Sequence, residues 1–402
     1  MFRTPVCSSP SIVRCQKLLT VSFRLLLAVL ILSIGMTTAT VSAAEILADG
    51  PLLSPTPIQG GSQPVPVAPP SPTDPAPTPA QVPANAKYLA TTGSDADSGS
   101  QDAPYRTFSH ALRQVRAGET LMVRDGMYVE QAIMSGSDTL AKGTPDARIT
   151  VMAFPGENPV LKGILHLSSA DYWTFDNIDV TWDENFTDSS QHMYRLYRGV
   201  GFEVKKSEIW GARSFAAMLI NGDGVSNYRI HHNYIHDTAP SNDISQDHLM
   251  YVSDGTNGVI EHNLMVGSPN GRAVKLGNPN PGEGVPGGVI LRYNTMVGNG
   301  SANTAVSYDA YNNRIYGNIM VTAGDSYYSV GTYHLAGTGN IVSENVAWDS
   351  EGNLKPDPLL QDGGGNLMAD PQFDEHFVPR NPALYDTDGN LRFGHLATVT
   401  HE

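Results

Sequence analysis

The chain has 402 residues and a formal net charge of −15 at pH 7, from 25 basic and 40 acidic residues. A surface this acidic does not attract nucleic acid or anionic membranes over long distances, so we expect no nucleic-acid partner. The same charge disfavours a polyanionic sugar as a partner unless the folded chain carries a local basic patch.

The N-terminal segment has the pattern of a secretory signal peptide. Basic residues precede the apolar run 25–34, and Val41, Ser42 and Ala43 suit the positions that a signal peptidase reads. The run is short for a transmembrane helix, so we predict a cleaved signal over residues 1–43, with an uncleaved anchor as the alternative. Cys7 and Cys15 both fall within it, so the secreted protein would have no disulfide and no membrane span.

Residues 44–86 are rich in proline, and such a segment cannot bury a core and is typical of an extended spacer. No second linker follows. We therefore predict one folded domain over residues 87–391 and a short C-terminal tail over residues 392–402.

A capping helix is predicted near the start of this domain. Thr107 can cap a helix in which Phe108, Ala111, Leu112 and Val115 recur at helical spacing. A helix at this place would cover the open end of a sheet and block edge pairing.

A short apolar motif then recurs seven times, with an apolar residue three positions before and two positions after a central residue. The centres are Ile178, Ser207, Asn233, Asn263, Asn294, Asn318 and Asn345. Their spacing of 24 to 31 residues indicates stacked repeats, and the short alternating runs between turn residues indicate strands. We predict an all-β parallel β-helix whose asparagines form one column at a bend, each bonded to the asparagine of the next coil.

Segments 88–95, 103–108 and 117–128 resemble the opening of secreted bacterial right-handed parallel β-helix proteins of the pectate-lyase-like superfamily, and 369–373 and 381–384 resemble their closing segment. Within this class the chain is similar to chondroitinase B and β-helical alginate lyases. The resemblance implies a right-handed β-helix over about residues 87–390, a bacterial secreted or cell-surface location and a polysaccharide partner. We expect a monomer. The superfamily includes lyases, hydrolases, epimerases and non-enzymatic binders.

Aligning one strand from each coil predicts a polar cluster on the outer surface. Segments 218–220, 250–252, 274–276 and 306–308 superpose, with their middle residues pointing outward. The predicted catalytic residues lie on two adjacent coils and are Lys275, Arg272, Tyr251 and His248. Insertions at 238–247 and 277–288 would wall a groove beside them. The residues expected to bind substrate are Asp247, Asp254, Asn278 and Ser307.

This cluster suits β-elimination on a uronate polymer, alginate-like before pectin-like. The reaction needs a base for the proton next to the carboxylate, a group that stabilises the enolate, and an acid for the leaving oxygen. The like charge of Arg272 would favour neutral Lys275 as the base, and Arg272 would clamp the carboxylate. Tyr251 or His248 would pass the second proton. The resemblance implies Lys and Arg in such roles, often with calcium, but no acidic calcium cluster is evident, so the metal stays open.

Other hypotheses remain at this point. A glycoside hydrolase needs two carboxylates across one bond, and Asp247 and Asp254 are the only acids close to the cluster. A carbohydrate binder or adhesin would use exposed aromatic rings, for which the candidates are Tyr251, Tyr293, Tyr308 and Tyr328. The cluster could also be a solvated surface, and His231, His232 and His236 could be metal ligands, although turn positions explain them better.

Overall fold

The computed structural model describes residues 82–135, 140–186, 192–239, 247–280, 284–321, 324, 328–349 and 355–395. The predicted signal peptide, most of the predicted linker and most of the predicted insertion 238–247 lie outside the described residues. Within the described ranges, no helix is both long and apolar enough to cross a membrane.

The described residues form one α-helix, 28 strands and a short 3₁₀ helix. The α-helix is α1 (Phe108–Gln114), and the 3₁₀ helix is Pro382–Leu384. In chain order the strands are β1 (Lys87–Leu89), β2 (Thr120–Val123), β3 (Met127–Met134), β4 (Ile149–Ala153), β5 (Val160–Ser168), β6 (Trp173–Asp176), β7 (Asp179–Thr181), β8 (Tyr194–Tyr197), β9 (Glu203–Lys205), β10 (Glu208–Trp210), β11 (Ala216–Asn221), β12 (Arg229–His231), β13 (Tyr234–His236), β14 (His248–Val252), β15 (Val259–Glu261), β16 (Leu264–Val266), β17 (Val274–Leu276), β18 (Ile290–Arg292), β19 (Thr295–Val297), β20 (Thr304–Ser307), β21 (Arg314–Tyr316), β22 (Ile319–Val321), β23 (Tyr328–Tyr333), β24 (Ile341–Ser343), β25 (Val346–Trp348), β26 (Lys355–Pro356), β27 (Gln361–Gly364) and β28 (Leu367–Met368).

These strands build three parallel sheets. The first sheet contains β1, β2, β4, β6, β9, β12, β15, β18, β21, β24 and β27. The second contains β7, β10, β13, β16, β19, β22, β25 and β28, and the third contains β8, β11, β14, β17, β20, β23 and β26. The long strands β3 and β5 pair along their whole length, and β5 continues into both the second and the third sheet. Each coil visits the three sheets in this order, which confirms the predicted right-handed parallel β-helix.

Apolar side chains stack in columns through the interior. Ile230, Ile260, Leu291 and Ile315 lie in register on neighbouring strands of the first sheet and are at most 1% exposed. At the N-terminal end α1 buries Phe108, Ala111 and Leu112, and the side chain of Thr107 accepts a hydrogen bond from the backbone N–H of His110. The predicted capping helix is therefore confirmed.

Asparagine side chains hold the coils in register at the bend between the first and second sheets. The backbone N–H of Asn233 donates to Oδ1 of Asn263 at 3.0 Å, and Nδ2 of Asn233 donates to the same oxygen at 2.9 Å. The same two bonds link Asn263 to Asn294, Asn294 to Asn318, Asn318 to Asn345, and Asn345 to Asn366. The predicted column is confirmed, and it extends to Asn366, which the repeat pattern missed.

The unusual backbone conformation at this bend belongs to the residue before each asparagine and not to the asparagine itself. His232, His262 and Tyr293 have φ values of 55°, 54° and 53°. These left-handed residues make the turn, so the asparagine amide is free to bond along the rod axis.

The C-terminal segment packs on the outside of the second sheet. Leu384 and Phe393 form a buried apolar cluster with Ile319 and Val346. Nδ1 of His395 lies 2.8 Å from Oγ1 of Thr295. The packed chain therefore continues past the predicted domain end at residue 391.

We expect Asn263→Ala to lower the free energy of unfolding by about 3 kcal/mol, because buried polar groups on two neighbouring coils lose a hydrogen-bond partner. The groups affected are the backbone N–H of Asn233 and the carbonyl oxygen of Ile230. Urea denaturation followed by circular dichroism measures this loss. The control is the exposed Asn185→Ala, which should change stability by less than about 0.5 kcal/mol. Equal midpoints for the two variants would contradict a structural role for the column.

Candidate functional site

The outer surface of the third sheet carries the predicted catalytic residues. Tyr251 lies opposite Lys275 on the next coil, and Leu219 lies opposite Tyr251 on the preceding coil. The predicted register of segments 218–220, 250–252 and 274–276 is confirmed. Residues that are distant in the sequence thus become neighbours on one face.

The predicted register of the fourth coil was wrong by two residues. Lys275 pairs with Ala305 rather than with Ser307, and Val274 pairs with Thr304. Thr304 is fully buried and its Oγ1 lies 3.4 Å from Sδ of Met296, so a polar residue occupies an inward position. The sequence alignment of the coils required apolar residues at inward positions, and it therefore did not place Thr304 there.

Tyr251 is the common neighbour of two other predicted catalytic residues, Lys275 and His248. Nζ of Lys275 lies 4.7 Å from the centroid of the Tyr251 ring, and the His248 ring centroid lies 5.7 Å from it. The backbone N–H of Arg272 donates to Nδ1 of His248 at 3.2 Å. The structure therefore brings Lys275 and His248 to the Tyr251 ring, and it joins Arg272 to this group through its backbone.

His248 is neutral at physiological pH. It is 1% exposed, and burial, together with the positive charges of Lys275 and Arg272, lowers the pKa of His248 well below its usual range. A neutral imidazole whose Nδ1 accepts a hydrogen bond positions Arg272 and its strand. Of the two predicted proton donors, Tyr251 is the better candidate.

Arg272 is a largely buried cation without a compensating anion. Burial lowers the pKa of Arg272, although a guanidinium stays charged at any physiological pH. Its Nε is buried and has no hydrogen-bond partner, and no carboxylate in the described ranges pairs with it. Burying an unpaired charge is costly, so this geometry favours an anionic ligand.

Asp247 lies at the start of β14 and has no exposed surface. Its carbonyl oxygen accepts hydrogen bonds from Oγ1 of Thr238 at 2.8 Å and from Oγ of Ser268 at 2.7 Å. Burial raises the pKa of Asp247 to about 6, and its Oδ1 is buried without a partner. In this position Asp247 supports the strand that carries His248 and does not face a substrate.

Asp254 and Asn278 hold the predicted insertion 277–288 against the rod. A Cβ atom on Gly284 would lie 2.2 Å from each carboxylate oxygen of Asp254, so the loop closes directly over this group. Nδ2 of Asn278 donates to the carbonyl oxygen of Gly284 at 2.8 Å. Ser307 is fully buried. These residues hold the described part of the loop in place, and their geometry gives no support to direct contact with substrate.

The described residues around this cluster form no acidic calcium site. In the part of the chain that the structure describes, no three His, Cys, Asp or Glu side chains are placed to hold a metal ion. Asp247 and Asp254 lie at opposite ends of β14, about 23 Å apart along an extended chain. That separation is also too large for the two carboxylates of a glycoside hydrolase.

The predicted histidine ligands are held by acids on neighbouring strands. Nε2 of His231 lies 2.8 Å from Oε1 of Glu203, and Nε2 of His236 lies 2.8 Å from Oε1 of Glu208. They belong to the first and second sheets, away from the third-sheet cluster.

The third sheet also presents residues that sequence reasoning missed. Arg195 lies opposite Leu219, on the coil before it, and its Nε donates to Oδ1 of Asn221 at 3.0 Å. At the other end of the surface, Tyr333 is 50% exposed and contacts Tyr308 with ring centroids 5.8 Å apart. Apolar and polar residues do not simply alternate with sequence, but buried and partly exposed residues alternate over 194–197, and this period would have placed Arg195 outward. The alignment of coils in the sequence began with segment 218–220, one coil later.

Comparison with known proteins supports the fold. A family model described as "Protein of unknown function (DUF1565)" matches residues 91–133. The uncharacterized protein YwoF of Bacillus subtilis (strain 168) is 34% identical over 87 residues, which is 22% of this chain and 17% of that protein. Pectate lyase PEL9 of Emericella nidulans is 28% identical over 113 residues, with 23% of this chain and 27% of that enzyme covered. The solved complex of XylC with xylose superposes with a TM-score of 0.50 at 12% identity, covering 65% of each chain.

The chain thus matches less than a third of the length of either curated relative. These likenesses support a pectate-lyase-like parallel β-helix. Since one fold carries many reactions, the chemistry has to be argued from the residues of the third sheet.

The buried carboxyl group of Asp247 predicts a pH-dependent stability. Because its pKa rises from 3.8 to about 6, the folded state binds this proton more tightly than the unfolded state does. The resulting stabilisation is fully present below about pH 4 and is lost as the pH rises through about 6, amounting to about 2 to 3 kcal/mol. We expect Asp247→Asn to remove this part of the pH dependence in urea denaturation. The control is the exposed Asp309→Asn, which should keep the pH dependence of the free energy of unfolding. If Asp247→Asn also keeps this pH dependence, Asp247 is not its source.

Proposed function

We propose that this protein is a polysaccharide lyase that cleaves a uronate polymer by β-elimination on the outer surface of the third sheet. One observation carries the proposal: Nε of Arg272 is buried with no hydrogen-bond partner among the described residues, and Nζ of Lys275 lies 4.7 Å from the centroid of the Tyr251 ring on the neighbouring coil. An acidic chain that leaves such cations together has a local basic patch of the kind that a polyanionic sugar requires.

The roles follow from the geometry. Arg272 binds the carboxylate of the sugar and stabilises the enolate that forms from it. Lys275 takes the proton from the carbon next to that carboxylate. The electron pair left behind forms a carbon–carbon double bond as the glycosidic carbon–oxygen bond breaks. The hydroxyl of Tyr251 donates a proton to the leaving oxygen, and solvent then restores both groups.

The proposed class of substrate is based on the carboxylate that Arg272 would bind. A polymer with free carboxylates, alginate-like before pectin-like, supplies this group at each uronate. The partial likeness to a protein named as a pectate lyase supports elimination chemistry on this fold, but not a particular sugar.

The alternative is a carbohydrate binder without catalysis. Exposed aromatic rings favour it, since Tyr333 is 50% and Tyr311 is 39% exposed. Of the rings expected to form stacking platforms, however, Tyr251 is 6% exposed and Tyr293 stacks on His262 with ring centroids 5.3 Å apart. These rings do not form one exposed row, which makes binding alone the weaker proposal.

We expect Lys275→Ala to lower the rate of unsaturated product formation by at least about a hundredfold, because the base is removed. Tyr251→Phe should lower it by about the same factor, because the proton donor is lost. Absorbance of the new double bond measures both, over a panel of alginates and pectates with and without added calcium.

The matched control is Lys142→Ala, which removes an exposed lysine that pairs with Asp171 at 2.6 Å. It should keep full activity. Full product formation by both Lys275→Ala and Tyr251→Phe would show that the site is elsewhere. If no polyuronate yields unsaturated ends, the lyase proposal fails, and retained binding would favour the carbohydrate binder.

We also propose that the protein is secreted after cleavage near Ala44. Small residues precede this position, which is why a signal peptidase is expected to cut there. N-terminal sequencing of exported protein should begin near Ala44. Retention of Met1 in exported material would favour an uncleaved anchor.

A further inference from the structure

The third sheet leaves a second arginine without an anion. Arg195 is half-buried, and its guanidinium carbon lies 4.7 Å from the centroid of the Tyr197 ring. Its Nε is held by Oδ1 of Asn221 at 3.0 Å. Within the described ranges no carboxylate pairs with Arg195, and burial lowers its pKa. The side chain is thus oriented but not neutralised.

The first sheet provides an internal comparison. There three partly buried arginines are neutralised by two glutamates. The pairs are Arg148 with Glu203 at 3.8 Å, Arg229 with Glu261 at 2.7 Å and Arg292 with Glu261 at 2.7 Å. The strands β8, β11, β14, β17 and β20 of the third sheet contain no acidic residue. Arg195 and Arg272 therefore differ from these three arginines, because no acid among the described residues pairs with them.

A shallow polar track connects the two ends of this surface. It consists of the outward residues that follow the last inward position of β8, β11, β14 and β17, which are Tyr197, Asn221, Ser253 and Gly277. Asn221 and Ser253 are partly exposed. At Gly277 a Cβ atom would lie 2.5 Å from the carbonyl oxygen of Ser307, so the floor of the track stays low there. An extended polymer can follow such a track from coil to coil.

We propose that Arg195 binds a second carboxylate of the same polymer, so that the substrate runs along the rod axis from the coil of β8 to the coil of β17. This inference rests on the proposed polyuronate substrate. Arg195 and Lys275 are three coils apart, which is about 14 Å at the spacing of parallel strands. The subsite therefore requires a substrate several sugars long, with a free carboxylate at each end of this span.

The test is direct binding of oligogalacturonates and oligomannuronates of increasing length, measured by calorimetry on the full chain. Lys275→Ala is present in every sample so that the ligands stay intact. Adding Arg195→Gln should weaken binding of the longer oligomers about tenfold, because one charge-assisted contact is lost. Arg195→Gln should leave the affinity for the shortest oligomers unchanged. Arg195→Lys should restore part of the affinity for the longer ones.

The matched control is Arg314→Gln, which removes an exposed arginine from the first sheet and changes the net charge equally. It should leave every affinity unchanged. Equal losses in Arg195→Gln and Arg314→Gln, or no loss in Arg195→Gln at any length, would overturn the subsite.

The two proposals fail separately. Binding that depends on Arg195, without unsaturated product from the unmodified enzyme, would support the subsite and reject the lyase. Formation of unsaturated product, together with affinities that do not depend on Arg195, would support the lyase and reject the subsite. Absence of binding by any oligouronate would reject both.

Discussion

Fixed register between coils is the constraint on which this structure depends. Each strand pairs in parallel with the equivalent strand of the next coil, and the asparagine column bonds the bends to one another. A slip of one residue would exchange inward and outward side chains along a whole strand. Because register is held, Tyr251 and Lys275 meet on one face although a complete coil separates them in the sequence.

The same register gives the faces of the rod different electrostatic properties. On the first sheet Glu203 is partly buried, yet its hydrogen bond to His231 and nearby cations hold its pKa down to about 2. That network satisfies its own charges and needs no ligand. On the third sheet no acid among the described residues pairs with Arg195 or Arg272, so their charge is available to a ligand. Net charge alone would argue against a polyanionic substrate, whereas the distribution of charge favours one.

Sequence periodicity predicted the parts of this molecule that follow from burial. The centres from Asn233 to Asn345 are predictable because every coil must bury apolar residues on both sides of the bend. Asn366 was missed because Gly363 stands where the pattern requires an apolar residue. Thr304 misled the alignment because its hydroxyl is satisfied inside the core. The burial of Asp247 and Ser307 depends on the packing of neighbouring turns, which no local pattern reports.

The buried histidine explains how two cations can be placed on one coil beside β14. A charged side chain at position 248 would repel Lys275 and Arg272 or, if acidic, would neutralise them. A neutral His248 does neither, and its Nδ1 accepts the backbone N–H of Arg272. Asp247 precedes it in a turn held by Thr238 and Ser268, so the strand begins from a rigid point. The site thus has an inner positioning layer of Asp247 and His248, and a neutral His248 adds no positive charge beside Lys275 and Arg272.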